Sequence, residues 1–447
     1  MTGVRRPEAW RPEAPAGGMA DVPRAGERAL VVGLGRSGVA LSRFLAGRGV
    51  LVRACDVRPA GRLGGAPSRL PAGSEVVVGG YDEHVLDGCA AVYASPGVPW
   101  DADLLQAARA AGKPVSSEMD LFFRLCPAPI VGVTGTNGKT TTTALIGSVL
   151  GQGRRPVLVG GNIGDTVLDR LEEVTPEHWV VLELSSFQLE SCAAPRARVA
   201  VVLNLTPDHL DRHGTMAAYT AAKARLLRWQ RLSDDAVLNG LDPACRELAA
   251  LTPARVIWFD EHRPVPPVPL PGRHNELNAL AAAAVGRAAG LPDDAIEAGV
   301  SSFPGVEHRL ELVGEWGGVR WYNDSKATNP DAGLVGLRAF AGRPVVLIAG
   351  GYGSGFELDA WLAAVRDGTE AVVLMGASAD ELAERLAGHT VQRAAGLEEA
   401  VDLARGLARP GWTVLLSPAY KSFDMFASYE DRGRRFKAAV GAAHRSP

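Results

Sequence analysis

Lys139 and Thr140 lie in the run Ile130-Val-Gly-Val-Thr-Gly-Thr-Asn-Gly-Lys-Thr-Thr-Thr-Thr143, and residues of these types at this spacing handle phosphate. Gly135 and Gly138, around Thr136 and Asn137, let the backbone curl until its N–H groups face phosphate oxygens. The following helix, with Thr140 and Thr141 in its first turn, adds partial positive charge at its N-terminus. Lys139 reaches the terminal phosphates and the Thr140 hydroxyl reaches a magnesium ion. Val133 stands where G-x-x-x-x-G-K-[ST] has its first glycine. An ordinary glycine-rich turn is the plain alternative; the flanking strand and helix favour an ATP site.

Further along, Trp179-Val-Val-Leu182 ends in Glu183, where ATPases with a phosphate loop place a magnesium-binding acid. A solvated strand-end carboxylate is the other reading. Thr206-Pro-Asp208-His209-Leu-Asp211-Arg-His213 follows another apolar strand, Val199 to Leu205, and clusters two Asp with two His. Lys223 lies among alanines on a helix from Met216 to Trp229, where a solvated charge is the default. Asn275 and Asn278 share a helix face and could hydrogen-bond an adenine.

Nearer the start, Gly33-Leu-Gly35-Arg36-Ser37-Gly38 joins a strand to a helix, and Asp56 ends the next strand about 20 residues on. This pattern seats a diphosphate on a helix N-terminus and a carboxylate against a ribose or base. It suits NAD, and with it an oxidoreductase; it equally suits a nucleotide-sugar, which the second nucleotide site favours. The Ser95-Pro-Gly97-Val-Pro99 loop also leaves a strand end, although a plain Pro-Gly turn would read the same.

Behind these residues the chain alternates strand-like and helix-like runs. Its 447 residues suggest about three domains. The expectation is an α/β protein with a Rossmann-like domain at 28–118 and a phosphate-loop ATPase domain with a mostly parallel sheet at 119–306. A second Rossmann-like domain then fills 307–447, where four strands leave into polar or glycine-rich loops. One of these loops is Asp324-Ser-Lys326-Ala-Thr328-Asn329. Residues 1–27, rich in Arg, Pro, Glu and Ala, read as a disordered tail, with Met19 a possible alternative start. They lack the apolar core of a secretory signal.

A composition of 47% hydrophobic and 22% charged residues is that of a soluble globular protein, and a net charge of −3 argues against nucleic acid as a partner. No apolar run approaches a membrane span. The five cysteines are widely spaced, without a C-x-x-C pair, which points to a reducing cytoplasm.

Thr134-Gly-Thr-Asn-Gly-Lys-Thr, Glu183-Leu-Ser-Ser-Phe-Gln, Asp208-His209 and Lys223 together resemble the ATP-dependent Mur ligases of peptidoglycan synthesis. Asp324-Ser-Lys-Ala-Thr-Asn329, Ser417-Pro-Ala and Ser422-Phe-Asp resemble the member that adds D-glutamate to UDP-N-acetylmuramoyl-L-alanine. The similarity runs from Glu27 onward. It implies a cytoplasmic monomer that uses ATP and two magnesium ions, in a fold whose last domain closes over the others. It also implies that Gly35, Arg36, Ser37, Asp56, Ser95 and Gly97 bind the UDP part, and that Asn162 and His209 hold the muramoyl arm. Lys139, Thr140 and Glu183 would serve ATP and the first magnesium. Lys223, as a carbamate, would hold the second with His209. Asn278, Arg309, Asp324 and Lys326 would contact the nucleotide, and Thr328, Ser422 and Phe423 the amino acid. A folylpolyglutamate synthetase-like ligase would share the ATPase core without needing the first diphosphate loop.

One departure stands out. The family usually carries a lysine in the loop after Gly351, paired with a substrate carboxylate, whereas this chain reads Tyr352-Gly353-Ser354-Gly355. Lys421, Arg343 or another cation would have to replace it, or the amino-acid preference is altered.

Overall fold

The computed structural model describes residues 22–164, 166–260, 264, 266–353 and 355–444. The expected tail at 1–27 lies largely outside the described residues, as do Met19 and Ser354.

Three sheets carry the chain. The first has five parallel strands: β1 (Arg28–Val32), β2 (Leu51–Asp56), β3 (Glu75–Val78), β4 (Cys89–Ala94) and β5 (Val115–Ser117). Their order is β3-β2-β1-β4-β5, so the chain reverses direction across the sheet between β1 and β4. Ligands of open α/β sheets bind at such a switch point, outside the carboxyl ends of the strands.

The second sheet is also parallel throughout: β6 (Ile130–Thr134), β7 (Val157–Gly161), β8 (Trp179–Glu183), β9 (Val199–Val202), β10 (Asp235–Asn239) and β11 (Arg255–Phe259), ordered β11-β10-β9-β6-β8-β7. Strands β6, β8 and β9 are buried along their whole length and apolar up to Thr134 and Glu183 at the ends of β6 and β8, as a sheet covered on both faces requires. The phosphate loop, Glu183 and the Asp208–His213 run therefore leave three adjacent strands at one edge.

The third sheet holds β12 (Glu311–Trp316), β13 (Val319–Asn323), β14 (Val345–Ala349), β15 (Ala371–Leu374), β16 (Val391–Arg393) and β17 (Thr413–Leu416), ordered β12-β13-β17-β14-β15-β16. Only β12 runs antiparallel. β13, β14, β15 and β17 are the four strands expected from the sequence. β12, which is half exposed, and the three-residue β16 are additional, both at sheet edges where apolar signal is weakest.

The described residues form two compact units. One contains the first two sheets with Asn278–Val300; the other contains the third sheet, with residues of 265–277 and those from Ser301 onward. In the first unit the Arg36 side chain donates to the Gly164 carbonyl at 2.9 Å, and the Asp120 carboxylate accepts from the Ala193 N–H at 2.8 Å, joining the first two sheets' modules. No helix among the described residues is long and apolar enough to cross a membrane.

Candidate active site

The phosphate loop has the backbone its sequence demands. Gly135 and Gly138 take φ of +151° and +83°, which side-chain-bearing residues rarely adopt. A Cβ on Gly138 would sit 2.6 Å from Asn278 Oδ1, and one on Gly135 would sit 3.0 Å from Leu203 Cβ. The helix begins at Lys139, the residue after the loop, and ends on Gly151. Asn204, at the exit of β9, braces the loop by accepting from the Asn137 N–H at 2.8 Å and donating to its carbonyl at 3.1 Å. The Lys139 ammonium donates to the carbonyls of Gly135 and Thr136, at 2.9 and 2.7 Å.

Glu183 is 2% exposed. Its Oε1 accepts from Asn162 Nδ2 at 3.0 Å, while Oε2 is buried with no hydrogen-bond partner among the described residues. A buried carboxylate oxygen left unpaired, within the electrostatic reach of Lys223, suits a hard cation. No cluster of three or more His, Cys, Asp or Glu with metal-holding geometry occurs among the described residues.

Lys223 overturns the default reading of a helix lysine. It is 1% exposed and donates to the Gly135 carbonyl at 2.8 Å, with its ammonium 4.6 Å from the centre of the Tyr219 ring. Burial first, then the Lys139 charge, pull its pKa down to about 7, against the opposing pull of Asp208 and Glu183. Neutral and charged forms are then comparable near pH 7, and the neutral amine gains as pH rises. Tyr219 and Lys223 are four residues apart on one helix face, a spacing from which the partnership could have been read. The Tyr219 hydroxyl in turn pairs with Thr136 Oγ1 at 3.1 Å.

His209 adopts a left-handed backbone, φ +52°, at the start of a one-turn helix. Its ring lies 4.9 Å from that of Phe187, which stacks on His213 at 5.3 Å. His213 Nε2 is 2.9 Å from Ser186 Oγ, and burial lowers its pKa. Phe187, Asn204, His213 and Tyr219 thus belong to the site; of these the sequence singles out only His213, within the Asp208–His213 cluster, because the others are defined by their contacts. Arg212 reaches from this cluster to the Val98 carbonyl, at 3.0 Å, tying it to the Ser95–Pro99 loop.

At the first sheet, Gly38 packs so closely that a Cβ would meet the Gly33 carbonyl oxygen, and Ser95 Oγ donates to that same carbonyl at 2.6 Å. The structure therefore brings the Gly33–Gly38 turn and the Ser95 loop together. Gly35, Arg36 and Gly97 are exposed there, with Ser37 half-buried. Asp56 Oδ2 accepts from the Leu34 N–H at 2.8 Å, and Arg58 grips the carboxylate with two nitrogens.

In the second unit, Asp324 turns inward, accepting from Ser417 Oγ at 2.8 Å and from the Leu310 N–H at 3.3 Å. Burial dominates its environment and raises its pKa to about 7. Lys326 lies over the Tyr429 ring, 5.8 Å from its centre. Arg309 sits between His308 and Leu310, both at positive φ, and its Nε is buried without a partner among the described residues. Such strain persists where the surroundings over-determine it, commonly at functional positions. Ser422 is buried and Thr328 half-buried, while Phe423 is 67% exposed.

Three family models cover these modules: the Mur ligase MurD-like N-terminal domain at residues 27–117, the Mur ligase middle domain at 133–265, and the Mur ligase glutamate ligase domain at 308–420. The UDP-N-acetylmuramoylalanine–D-glutamate ligase of Pelotomaculum thermopropionicum is 43% identical, over 93% of this chain and 97% of its own length.

The chain belongs to the Mur ligase family.

A second relative of that name, from Anaeromyxobacter dehalogenans, is 44% identical over 92% of this chain and 97% of its own. Among solved structures, the UDP-N-acetylmuramate–alanine ligase of Thermotoga maritima matches with a TM-score of 0.57 and 20% identity, over 93% of this chain and 99% of that one. A Mycobacterium tuberculosis folylpolyglutamate synthase in complex with ADP matches with a TM-score of 0.53 and 19% identity, over 72% and 93%. At such identities these structures share the Mur ligase fold alone. The motif resemblance thus holds at the level of the family, and an NAD-dependent oxidoreductase is set aside.

Proposed function

We propose that this chain is the ATP-dependent ligase that joins D-glutamate to UDP-N-acetylmuramoyl-L-alanine, working as a cytoplasmic monomer in peptidoglycan precursor synthesis. The observation that carries this reading is the juxtaposition of the phosphate loop, the unpaired Glu183 oxygen and buried Lys223 at one sheet edge. Relatives bearing that ligase's name are similar along nearly the whole chain.

In the first step the substrate's alanyl carboxylate attacks the γ-phosphorus of ATP, and the bond to the β,γ-bridging oxygen breaks. The products are an acyl phosphate and ADP. The neutral amine of D-glutamate then attacks the acyl carbon, loses a proton, and expels inorganic phosphate as the amide forms. Two anions meet in the first step, so stabilising charge on the transferring phosphoryl group dominates catalysis. Loop N–H groups from Gly135 to Gly138 hold the phosphates, and Lys139 swings from its carbonyls to the γ-phosphoryl. Thr140 and Glu183 would hold one magnesium ion, with His209 and a carbamate on Lys223 holding another; bound magnesium neutralises phosphate charge. Carbamylation turns the buried amine into an oxygen ligand, which a neutral lysine cannot supply.

Gly35, Arg36, Ser37, Asp56, Ser95 and Gly97 take the UDP group, and Asn162 and His209 the muramoyl arm. Asn278, Arg309, Asp324 and Lys326 serve the nucleotide; Thr328, Ser422 and Phe423 serve the amino acid. For function we divide the chain at 28–118, 119–306 and 307–447, although residues of 265–277 and those from Ser301 onward belong to the same compact unit as the third sheet.

The test is phosphate release from ATP with UDP-N-acetylmuramoyl-L-alanine, scanned over D- and L-amino acids. Release that depends on D-glutamate is expected. Release that needs a folate substrate instead would replace this reading with the folylpolyglutamate synthetase-like one.

A further inference from the structure

D-Glutamate brings two carboxylates and an ammonium to its site, and its side-chain carboxylate separates it from other amino acids. A site selective for it needs a cation that the protein has not already spent on itself. The described residues of the second unit allow a search for that cation.

Strands β13, β17 and β14 are neighbours and parallel, so the loops Asp324–Asn329, Ser417–Asp424 and the one from Gly350 leave at the same edge. The last two are joined. Gly350 N–H donates to the Pro418 carbonyl at 2.9 Å, Tyr352 N–H to the Lys421 carbonyl at 2.8 Å, and Lys421 N–H to the Tyr352 carbonyl at 3.1 Å. Gly351, at φ +149°, allows this approach, since a Cβ there would lie 2.3 Å from the Lys421 carbonyl oxygen.

In an antiparallel pair that exchanges both hydrogen bonds, the two side chains emerge on one face. Tyr352 is exposed, and so is Lys421, between the buried Tyr420 and Ser422. Lys421 thus projects outward beside the loop that lacks a basic residue.

Other cations compete poorly. Arg432 is fully buried and spends its donors on Ser325 and the Tyr420 carbonyl. Lys326 lies over Tyr429. Arg343 precedes β14, so it lies at the wrong end of a five-residue strand, roughly 16 Å from the loop edge. The Lys421 ammonium has no hydrogen bond or ion pair among the described residues.

We propose that Lys421 receives the side-chain carboxylate of the incoming amino acid and so sets the preference for an acidic side chain. This rests on the ligase reading above.

The test uses the full-length enzyme with ATP and UDP-N-acetylmuramoyl-L-alanine, reading phosphate release against D-glutamate and, separately, D-glutamine. Lys421→Met should raise the KM for D-glutamate roughly 10- to 100-fold, the scale of one lost charge-assisted hydrogen bond. The KM values for ATP and the UDP-sugar should stay within about twofold. The variant should also lose most of the wild-type discrimination between D-glutamate and D-glutamine, and Lys421→Arg should recover part of it. A D-glutamate KM unmoved in Lys421→Met, or a change in kcat alone, overturns the assignment. Failure of the wild-type enzyme to use D-glutamate at all would be a separate result, against the ligase reading itself.

Discussion

The Lys223 ammonium donates to the carbonyl of Gly135 at 2.8 Å, so a buried helix lysine touches the phosphate loop itself. Carbon dioxide adds to a neutral amine, and burial holds this one near a pKa of about 7. Lys223→Arg keeps a long basic side chain but cannot form the carbamate, and near-complete loss of ligase activity is expected. In the wild type, removal of bicarbonate should lower activity, and its return should restore both activity and a carbamate signal from 13C-labelled carbon dioxide. An arginine variant with ordinary turnover would sink the idea.

Lys139 and its loop make a sharper demand. Its ammonium rests on the Gly135 and Thr136 carbonyls until phosphate offers a better partner. Lys139→Ala should cut kcat by roughly 10²-fold or more, the scale of a removed transition-state donor. Binding of the UDP-sugar, measured by calorimetry without ATP, should be unchanged, because the loops that take its UDP group leave the first sheet. Parallel loss of both would show that the substitution damages the fold.

These two residues differ in how legible they were. The Gly-Lys-Thr spacing announces Lys139 because phosphate binding needs local backbone geometry, which local sequence encodes. Lys223 is different: a lysine among alanines looks solvated until β6 and its loop are folded against it, and only the family resemblance singled it out. Strands such as β14 and β17 were readable from unbroken apolar runs, whereas β10 and β11 passed unassigned despite comparable runs. The Asn204 brace and the Lys421–Tyr352 pairing join segments about 70 residues apart, so no window of sequence contains them.

Asp56 gives a test by pH. Burial pushes its carboxyl up, but hydrogen bonds from the Arg58 side chain and from the Leu34 and Arg58 amides outweigh it and bring the pKa down to about 2. A carboxyl depressed in the folded state stabilises above its unfolded pKa of about 3.9, and that stabilisation is lost as pH falls through about 2. Asp56→Asn should therefore melt below the wild type at pH 7, with the gap narrowing from about pH 4 downward. Calorimetry across this range checks it; a gap constant with pH would assign the loss to packing.

Gly138 links the loop to Asn278. A methyl group here meets two costs: a left-handed backbone, roughly 1–2 kcal/mol for a residue with a Cβ, and collision with Asn278 Oδ1 at 2.6 Å. That oxygen already accepts from Thr142 Oγ1 at 3.0 Å, so Asn278 cannot turn aside without breaking a buried hydrogen bond. Gly138→Ala should lower Tm by a few degrees. Asn278→Ala should lower it too, by leaving the Thr142 hydroxyl without its acceptor. The double variant should melt above the sum of the two losses, because removing the Asn278 side chain makes room for the new methyl. Thermal unfolding of the three variants measures that coupling, and strict additivity would mean that the backbone conformation alone makes glycine necessary.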